Sequence, residues 1–236
     1  MEDSLGDRMK GYEEAARRYL PRRLPVIIRV DGRAFHTVTR GCAKPFDNIL
    51  MNTMNVVALE LCDDIQGAQM AFVQSDEISI LVHGYKKLNT SPWFDNCAAK
   101  MESISAAIAS SYFTHHSGKP AQFDSRAFVL PEADVCNYFI WRQQDAMRNA
   151  VQMIARSEFS QRQCHKKSIE ELKKMLADAG KPVLAFRPEY LRGRCAVKHT
   201  FIKGDALRSE WVVDFEPPIF SEDRNYIEKH LALEEE

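Results

Sequence analysis

The 236-residue chain lacks the signatures that would each fix a function class at once. It has no G-x-x-x-x-G-K-[ST] segment and no G-x-G-x-x-G turn, so neither a P-loop nor a dinucleotide-binding fold has support. It has no Cys-x-x-Cys pair. Cys42, Cys62, Cys97, Cys136, Cys164 and Cys195 are scattered, which speaks against a disulfide scaffold. No apolar run approaches the roughly 18 residues of a membrane-spanning helix, so no membrane partner is expected. Met1-Glu2-Asp3 has neither the basic start nor the apolar stretch of a secretory leader, and a reducing cytoplasm is the expected location. Repeats and low-complexity tracts are absent. Net charge is nearly absent too: 32 Lys and Arg against 33 Asp and Glu leave −1. Taken as an average, that argues against a nucleic-acid partner.

The average hides a gradient. Residues 156–208 carry thirteen Lys and Arg against six Asp and Glu, a net of +7. Phe186, Tyr190 and Phe201 are interleaved with them. The rest of the chain is therefore acidic, ending in Glu234-Glu235-Glu236. Basic residues with interspersed aromatics suit an RNA-facing surface. Singly, Lys166, Lys167, Lys173 and Lys174 suit a solvated helix face equally well.

Hydrophobic residues make up 45% of the chain, enough for a real core. Residues 7–20 read as a helix stopped by Pro21 and Pro25. Pro25 to Asp31 is a β-branched strand ended by Asp31-Gly32-Arg33. Asp47 is a candidate N-cap for a helix whose Leu50, Met51, Met54, Val57, Ala58 and Leu61 recur at helical spacing. Ala68–Val73 and Ile78–Val82 read as a hairpin with Gln74-Ser75-Asp76-Glu77 at its tip. A helix over about 93–113, a strand near Ala127–Leu130 and a helix over about 132–156 follow. Ser168-x-x-Glu171 is a capping box. Cys195–Ile202 and Glu210–Phe215 are late strands. The β–α–β–β opening predicts an α+β fold of the ferredoxin-like, split βαβ kind, the plan of polymerase palms: an antiparallel sheet with flanking helices. A domain of this plan over 1–155 and a basic helical and β appendage over 156–236 packed on it are expected, though the plan alone does not decide function.

Asp31 ends one strand and Asp76 sits in a hairpin tip, so the two can meet at one sheet edge, with Glu77 beside them. Clustered carboxylates repel unless a cation or proton intervenes. Mg²⁺ takes one or two carboxylates, keeps waters and completes its shell with substrate phosphates. The alternative is that all these are ordinary turn residues. Strand alternation places Arg29 on the face of Asp31. Lys44 lies just before a helix N-terminus, where backbone N–H groups favour anions. Arg142, Asp145, Asn149 and Gln152 form a polar stripe, either a solvated face or one lining a nucleotide cleft. Cys164-His165 with Cys195-x-x-x-His199 is a nonstandard zinc spacing. His115-His116 reads as a surface turn.

Taken in order, Val30-Asp31-Gly32-Arg33-x-Phe35-His36, Ala43-Lys44-Pro45, Gln74-Ser75-Asp76-Glu77, Ala109-Ser110-Ser111-Tyr112, Phe123-Asp124-Ser125-Arg126 and Trp141-Arg142-Gln143 resemble the tRNA(His) guanylyltransferases and related 3′-to-5′ RNA polymerases. The resemblance implies two Mg²⁺ ions on Asp31, Asp76 and the Gly32 carbonyl, bordered by Ser75 and Glu77, with Lys44 completing the catalytic set. It implies nucleotide contacts, with GTP or another NTP and ATP as substrates, from Arg29, Gly32, Arg33, Ala34, Phe35, His36, Lys44, Ser75, Asp76 and Asn149. It also implies tRNA as partner and a homotetramer built as a dimer of dimers. Arg142, Arg148, Lys166, Lys167, Arg187, Arg192, Arg194 and Lys198 are the expected RNA contacts. Where the guanylyltransferases proper carry His-Ile-Asn-Asn, this chain has Met147-Arg148-Asn149-Ala150. That departure, with the opening Leu5-Gly6-Asp7-Arg8-Met9-Lys10-Gly11-Tyr12, favours the like-protein branch, which repairs 5′-truncated tRNAs by templated addition. A tRNA(His) G-1 guanylyltransferase, a cyclase-like palm enzyme and a non-catalytic RNA-binding module are the alternatives.

Overall fold

A computed structural model describes residues 4–85, 90–204 and 206–232. Met1-Glu2-Asp3 and the acidic Glu234-Glu235-Glu236 lie outside the described residues. In chain order the elements are α1 (Leu5–Ala15), β1 (Val26–Gly32), α2 (Phe35–Val38), α3 (Asn48–Asp64), β2 (Ala68–Gln74), β3 (Glu77–Val82), α4 (Ala98–Ser117), β4 (Phe123–Val129), α5 (Glu132–Glu158), α6 (Gln161–Cys164), α7 (Ile169–Asp178), α8 (Pro188–Arg192), β5 (Arg194–Lys203), β6 (Ala206–Asp214) and α9 (Asn225–Glu228). His115 and His116 extend α4 rather than forming a turn. Gly118, in the left-handed region at φ 66°, ends that helix one residue beyond Ser117.

The strands form one antiparallel sheet in the order β4-β1-β3-β2-β5-β6. Its first four strands reproduce the split βαβ order, so the ferredoxin-like α+β expectation holds. The basic segment after 156 does more than pack on that unit: it supplies β5 and β6, and β5 pairs with β2 from Met70↔Val197 to Val73↔Arg194.

Period-two alternation decides which residues meet which helices. Val26, Ile28 and Val30 of β1 and Ile78, Ile80 and Val82 of β3 face α3 and α4. They pack there on Met54, Val57, Leu61, Met101 and Phe113. Ile27 of β1 and Leu81 of β3 face the other way, toward Val135, Cys136 and Phe139 of α5. Toward one end of the same α5-facing rows the apolar residues give way to Arg29 and Asp31 on β1 and to Glu77 and Ser79 on β3. The α5 side of the sheet therefore carries a polar island at the edge of an apolar core. A third cluster joins Val151, Ile154 and Ala155 of α5 to Leu172 and Leu176 of α7. Both boxes at Ser160/Gln163 and Ser168/Glu171 close reciprocally, fixing the starts of α6 and α7.

One glycine is required by the packing of β5 on β2. Gly193 has φ 79°, and a Cβ there would lie 2.6 Å from the Phe72 ring and 2.8 Å from the Val73 carbonyl oxygen. Gly193→Ala is expected to destabilise the fold by about 2 kcal/mol or more, a Tm drop of roughly 4–8 °C. Thermal unfolding checks this, and an unchanged Tm would contradict it.

Candidate active site

Asp31 sits opposite Glu77 in the β1–β3 ladder and opposite Asp124 in the β1–β4 ladder. The β2–β3 hairpin turns at Ser75-Asp76, with Gln74 paired to Glu77. Ser75 adopts φ 46°, a left-handed conformation costing of order 1 kcal/mol in a non-glycine residue. The Gly32 N–H donates to the Asp76 carbonyl oxygen at 3.1 Å. The two chain segments that bear the aspartates are thus stitched together by backbone.

Glu77 is the hub beneath them. It is only 6% exposed. Its carboxylate meets Arg29 Nη2 at 2.6 Å and Arg142 Nη1 at 2.8 Å, both at Oε2. Ser79 Oγ donates to Oε1 at 3.3 Å and lies 3.0 Å from the Tyr138 hydroxyl. Burial pushes the Glu77 carboxyl up, while Arg142 and Arg29 draw it back toward the ionised form. The same Arg29 Nη2 donates to Asp31 Oδ2 at 2.9 Å. For Arg29, burial opposes the charge, but Glu77 and Asp31 outweigh it and hold the guanidinium above its ordinary value. The Arg142 guanidinium lies 3.8 Å over the Trp141 ring and also bonds Asp145 at 3.1 Å.

Asp76 is different. Its carboxylate accepts from Ser75 Oγ at 2.9 Å. No Lys or Arg among the described residues pairs with it, whereas Arg29 is committed to Asp31 and Glu77. Burial raises its pKa, with the Asp31 charge acting in the same direction. A desolvated carboxylate beside a second carboxylate suits a divalent cation. Among the described residues no group of three or more His, Cys, Asp and Glu forms a full cage. The donor set is the two-carboxylate kind that leaves room for waters and phosphate oxygens, which fits Mg²⁺ and does not fit zinc.

The neighbouring segments are built around this edge. A Cβ at Gly32 would fall 2.2 Å from Phe35 Cδ2, so only glycine lets Phe35 close under the loop. Phe35 itself is buried against Phe113 and Phe123, with ring centroids 5.1 Å from each. Its side chain is therefore core, and a nucleotide could meet only the backbone of Gly32 to Phe35 there. Arg33 is exposed and donates to Gln122 at 2.8 Å; Ala34 (φ 52°) and His36 are exposed. Lys44 is exposed before α3. Asp47 accepts from Ala43 N at 2.8 Å and from Leu50 N at 2.9 Å, tying the Lys44 loop to the helix. Those bonds, the Leu50 one foremost, hold the Asp47 carboxyl below its usual range. The α3 N-terminus is thus already capped by a carboxylate, and the cation beside it is the exposed Lys44. A cleft beside the tip is lined by Phe46, Met51, Gln74, Ser75, Asn149 and Tyr190, among others, so Asn149 and Ser75 share one concavity.

Two expected RNA contacts are placed otherwise. Arg142 is 3% exposed and serves Glu77. Arg194 is 2% exposed, donates from Nε to Asn55 at 2.7 Å and ties β5 to α3; burial lowers its pKa to about 10. Neither guanidinium faces solvent, because each is the internal partner of a buried polar group. Arg148, Lys166, Lys167 and Arg187 are exposed, Arg192 donates to the Pro217 carbonyl at 3.3 Å, and Lys198 lies 5.2 Å over the Trp211 ring. Cys195 is fully buried and Cys164 bonds the Ala155 carbonyl, so the Cys/His spacing assembles no zinc site. Sequence reading missed Tyr138, Ser79 and the Glu77–Arg142 pair. The signal for them was present: Tyr138 and Arg142 are spaced i, i+4 on one helix, and Ser79 is two residues from Glu77 on one strand.

Because the folded-state pKa of Asp76 is raised, its contribution to stability is fully present below the ordinary carboxylate pKa. That contribution is lost as pH rises through the raised value. Without metal, Asp76→Asn should therefore unfold at or above the wild-type Tm at pH 7, and the gap should close toward pH 4. A lower Tm for the variant at pH 7 in EDTA would contradict this.

Three comparisons bear on the identity of this site. A family model described as tRNAHis guanylyltransferase matches residues 6–131. A Dictyostelium discoideum protein named as a probable tRNA(His) guanylyltransferase is 33% identical over 136 residues, 52% of this chain and 51% of that protein. The chain thus spans about half the length of that curated relative. A bacterial tRNA(His) guanylyltransferase-like protein solved with ATP superposes with a TM-score of 0.91 at 42% identity, covering 98% of this chain and 100% of the other. A structure of the same description with GTP gives 0.89 at 44% identity and the same coverage.

Proposed function

Because the chain belongs to the tRNAHis guanylyltransferase family, we propose that it is an Mg²⁺-dependent nucleotidyltransferase that adds nucleotides to tRNA 5′ ends in the 3′-to-5′ direction. The observation that carries the reading is the Asp31–Asp76 pair. Two carboxylates are drawn together by a backbone bond, one of them half-buried without a cationic partner among the described residues, beside an arginine already oriented by Glu77. The bacterial neighbours solved with ATP and with GTP support nucleoside triphosphates as substrates.

Two Mg²⁺ held by Asp31, Asp76 and the Gly32 carbonyl would supply charge neutralisation at the attacking and leaving oxygens of phosphoryl transfer. The remaining work falls to the chain. Arg29 places a fixed positive charge beside Asp31, where an incoming phosphate would otherwise meet only carboxylates. Lys44, on a loop braced by Asp47, adds a second, exposed cation suited to a triphosphate or an activated RNA end. Ser75 and Asn149 line the adjoining cleft and offer hydrogen bonds to nucleotide or terminus. A 5′-monophosphate would first attack the α-phosphate of ATP, releasing pyrophosphate and leaving an adenylylated end; the 3′-hydroxyl of an NTP would then attack the RNA 5′-phosphate and AMP would leave. A 5′-triphosphate end would lose pyrophosphate directly. Positioning and electrostatics carry such transfers.

Within the family we assign templated repair of 5′-truncated tRNA. Ala150 is buried and lines the cleft where the G-1-adding branch carries an asparagine, so that polar contact is missing. The exposed Arg148, Lys166, Lys167 and Arg187 are the RNA contacts we retain, in a cytoplasmic homotetramer. Among the described residues no helix is long and apolar enough to cross a membrane.

Asp31→Ala and Asp76→Ala should each cut nucleotide addition on the order of 10²–10³-fold or more while leaving the circular dichroism unchanged. Labelled-NTP incorporation on truncated tRNAs differing only in the templating base tests the finer assignment. The expected incorporation follows the opposite base and needs Mg²⁺. G added regardless of that base would place the protein in the G-1 branch, and RNA binding without incorporation would leave a binding module.

A further inference from the structure

The two edges of the sheet are unlike. The β4 edge is seven residues long and carries Asp124 and Arg126, which pair along the strand at 3.6 Å. The β6 edge is nine residues long and pairs with β5 without a register shift from Lys203↔Ala206 to Cys195↔Asp214. It has no proline and no bulge, the usual devices that keep an open edge from pairing. Its hairpin end exposes Ile202 (77%) and Leu207 (75%), which sit opposite each other across the ladder. Arg208 and Glu210 beside them are exposed. Among the described residues neither has a salt-bridge partner within the chain.

We propose that β6 is a self-association surface: two copies of this chain pair their β6 strands antiparallel about a twofold axis at Ser209. The occupant follows from the ladder and the charges. Antiparallel pairs alternate between hydrogen-bonded and open, and counting from the closing pair Lys203↔Ala206 turns the free N–H and C=O groups of Leu207, Ser209, Trp211 and Val213 outward. A twofold pairing must match these odd-numbered residues with one another. An axis at Arg208 would oppose Arg208 to its own copy, and an axis at Glu210 would oppose the two glutamates, both destabilising. The axis at Ser209 sets Arg208 against the partner's Glu210, and Glu210 against the partner's Arg208. It also sets the exposed Leu207 against the partner's Trp211, at the mouth of the groove between α3 and β6 lined by Leu59, Cys62 and Trp211. One register thus satisfies backbone, charge and apolar surface together. The proposal deepens the expected homotetramer by naming one of its interfaces, and it rests on that reading only for self-association itself.

Charge reversal tests it, because both positions are exposed and their reversal leaves the monomer core untouched. Sedimentation of the full chain should show wild-type association at micromolar concentration. Arg208→Glu and Glu210→Arg should each weaken one dissociation step by about tenfold or more, since each sets like charges opposite one another twice. The doubly reversed Arg208→Glu/Glu210→Arg chain should recover wild-type association. Circular dichroism and thermal unfolding of each variant establish that the fold is intact. A wild-type chain monomeric at tens of micromolar overturns self-association as a whole. A wild-type oligomer indifferent to both single reversals overturns the surface alone, and failure of the double reversal to restore association overturns the register.

Discussion

Glu77 is the residue on which the site depends. It is buried, it carries charge, and it receives guanidinium groups from two different elements, Arg29 of β1 and Arg142 of α5. Removing one partner of such a buried pair costs about 3–5 kcal/mol, because the remaining charge is stranded. The arrangement is costly in stability compared with an apolar core, and its product is orientation. Arg29, held at 2.6 Å by Glu77, is delivered to Asp31 at 2.9 Å. Arg142 in turn is flattened on Trp141 and braced by Asp145. The Trp-Arg-Gln segment, 65 residues from Glu77 in sequence, therefore acts as the wall behind the aspartates.

This hub explains why the chemistry sits at one end of the sheet. Along β1 and β3 the α5-facing positions run from apolar (Ile27, Leu81) to charged (Arg29, Asp31, Glu77). The hydrophobic cluster thus ends where the polar one begins. The hairpin then adds Asp76 from the far side, tied to Gly32 by backbone. Asp31 leans on an arginine, while Asp76 has a hydroxyl partner in Ser75 but no cationic one among the described residues, and burial raises its pKa. The asymmetry is what a site that recruits a cation needs: one carboxylate pre-neutralised and oriented, the other waiting.

Much of this is legible in the amino-acid sequence. The β-branched run ending in Asp31, the hairpin around Ser75-Asp76 and the helix opened by Asp47 all follow from local patterning. The split βαβ order follows from the β–α–β–β succession. What local patterning could not supply were partners distant in sequence. Arg142, Asp145, Asn149 and Gln152 form a stripe that local patterning leaves open between a solvated face and the lining of a nucleotide cleft, since a helical wheel cannot show a face pressed on a charged strand end. Arg194 counts toward the basic stretch 156–208 in sequence, yet it bonds Asn55 from 139 positions away. The near-zero net charge also changes meaning. The acidic residues include two aspartates brought to one strand end, and two of the basic residues expected at an RNA surface are internal: Arg142 pairs with Glu77 and Arg194 bonds Asn55.

Asp76 is expected to complete a cation site together with a nucleotide. Mn²⁺, a spectroscopic stand-in for Mg²⁺, can be titrated into the protein by electron paramagnetic resonance with a non-hydrolysable nucleoside triphosphate present. Saturable binding to the wild type is expected, weakened by at least about tenfold in Asp76→Asn, because one of two carboxylate ligands is lost. Equal Mn²⁺ binding by the two proteins would contradict it.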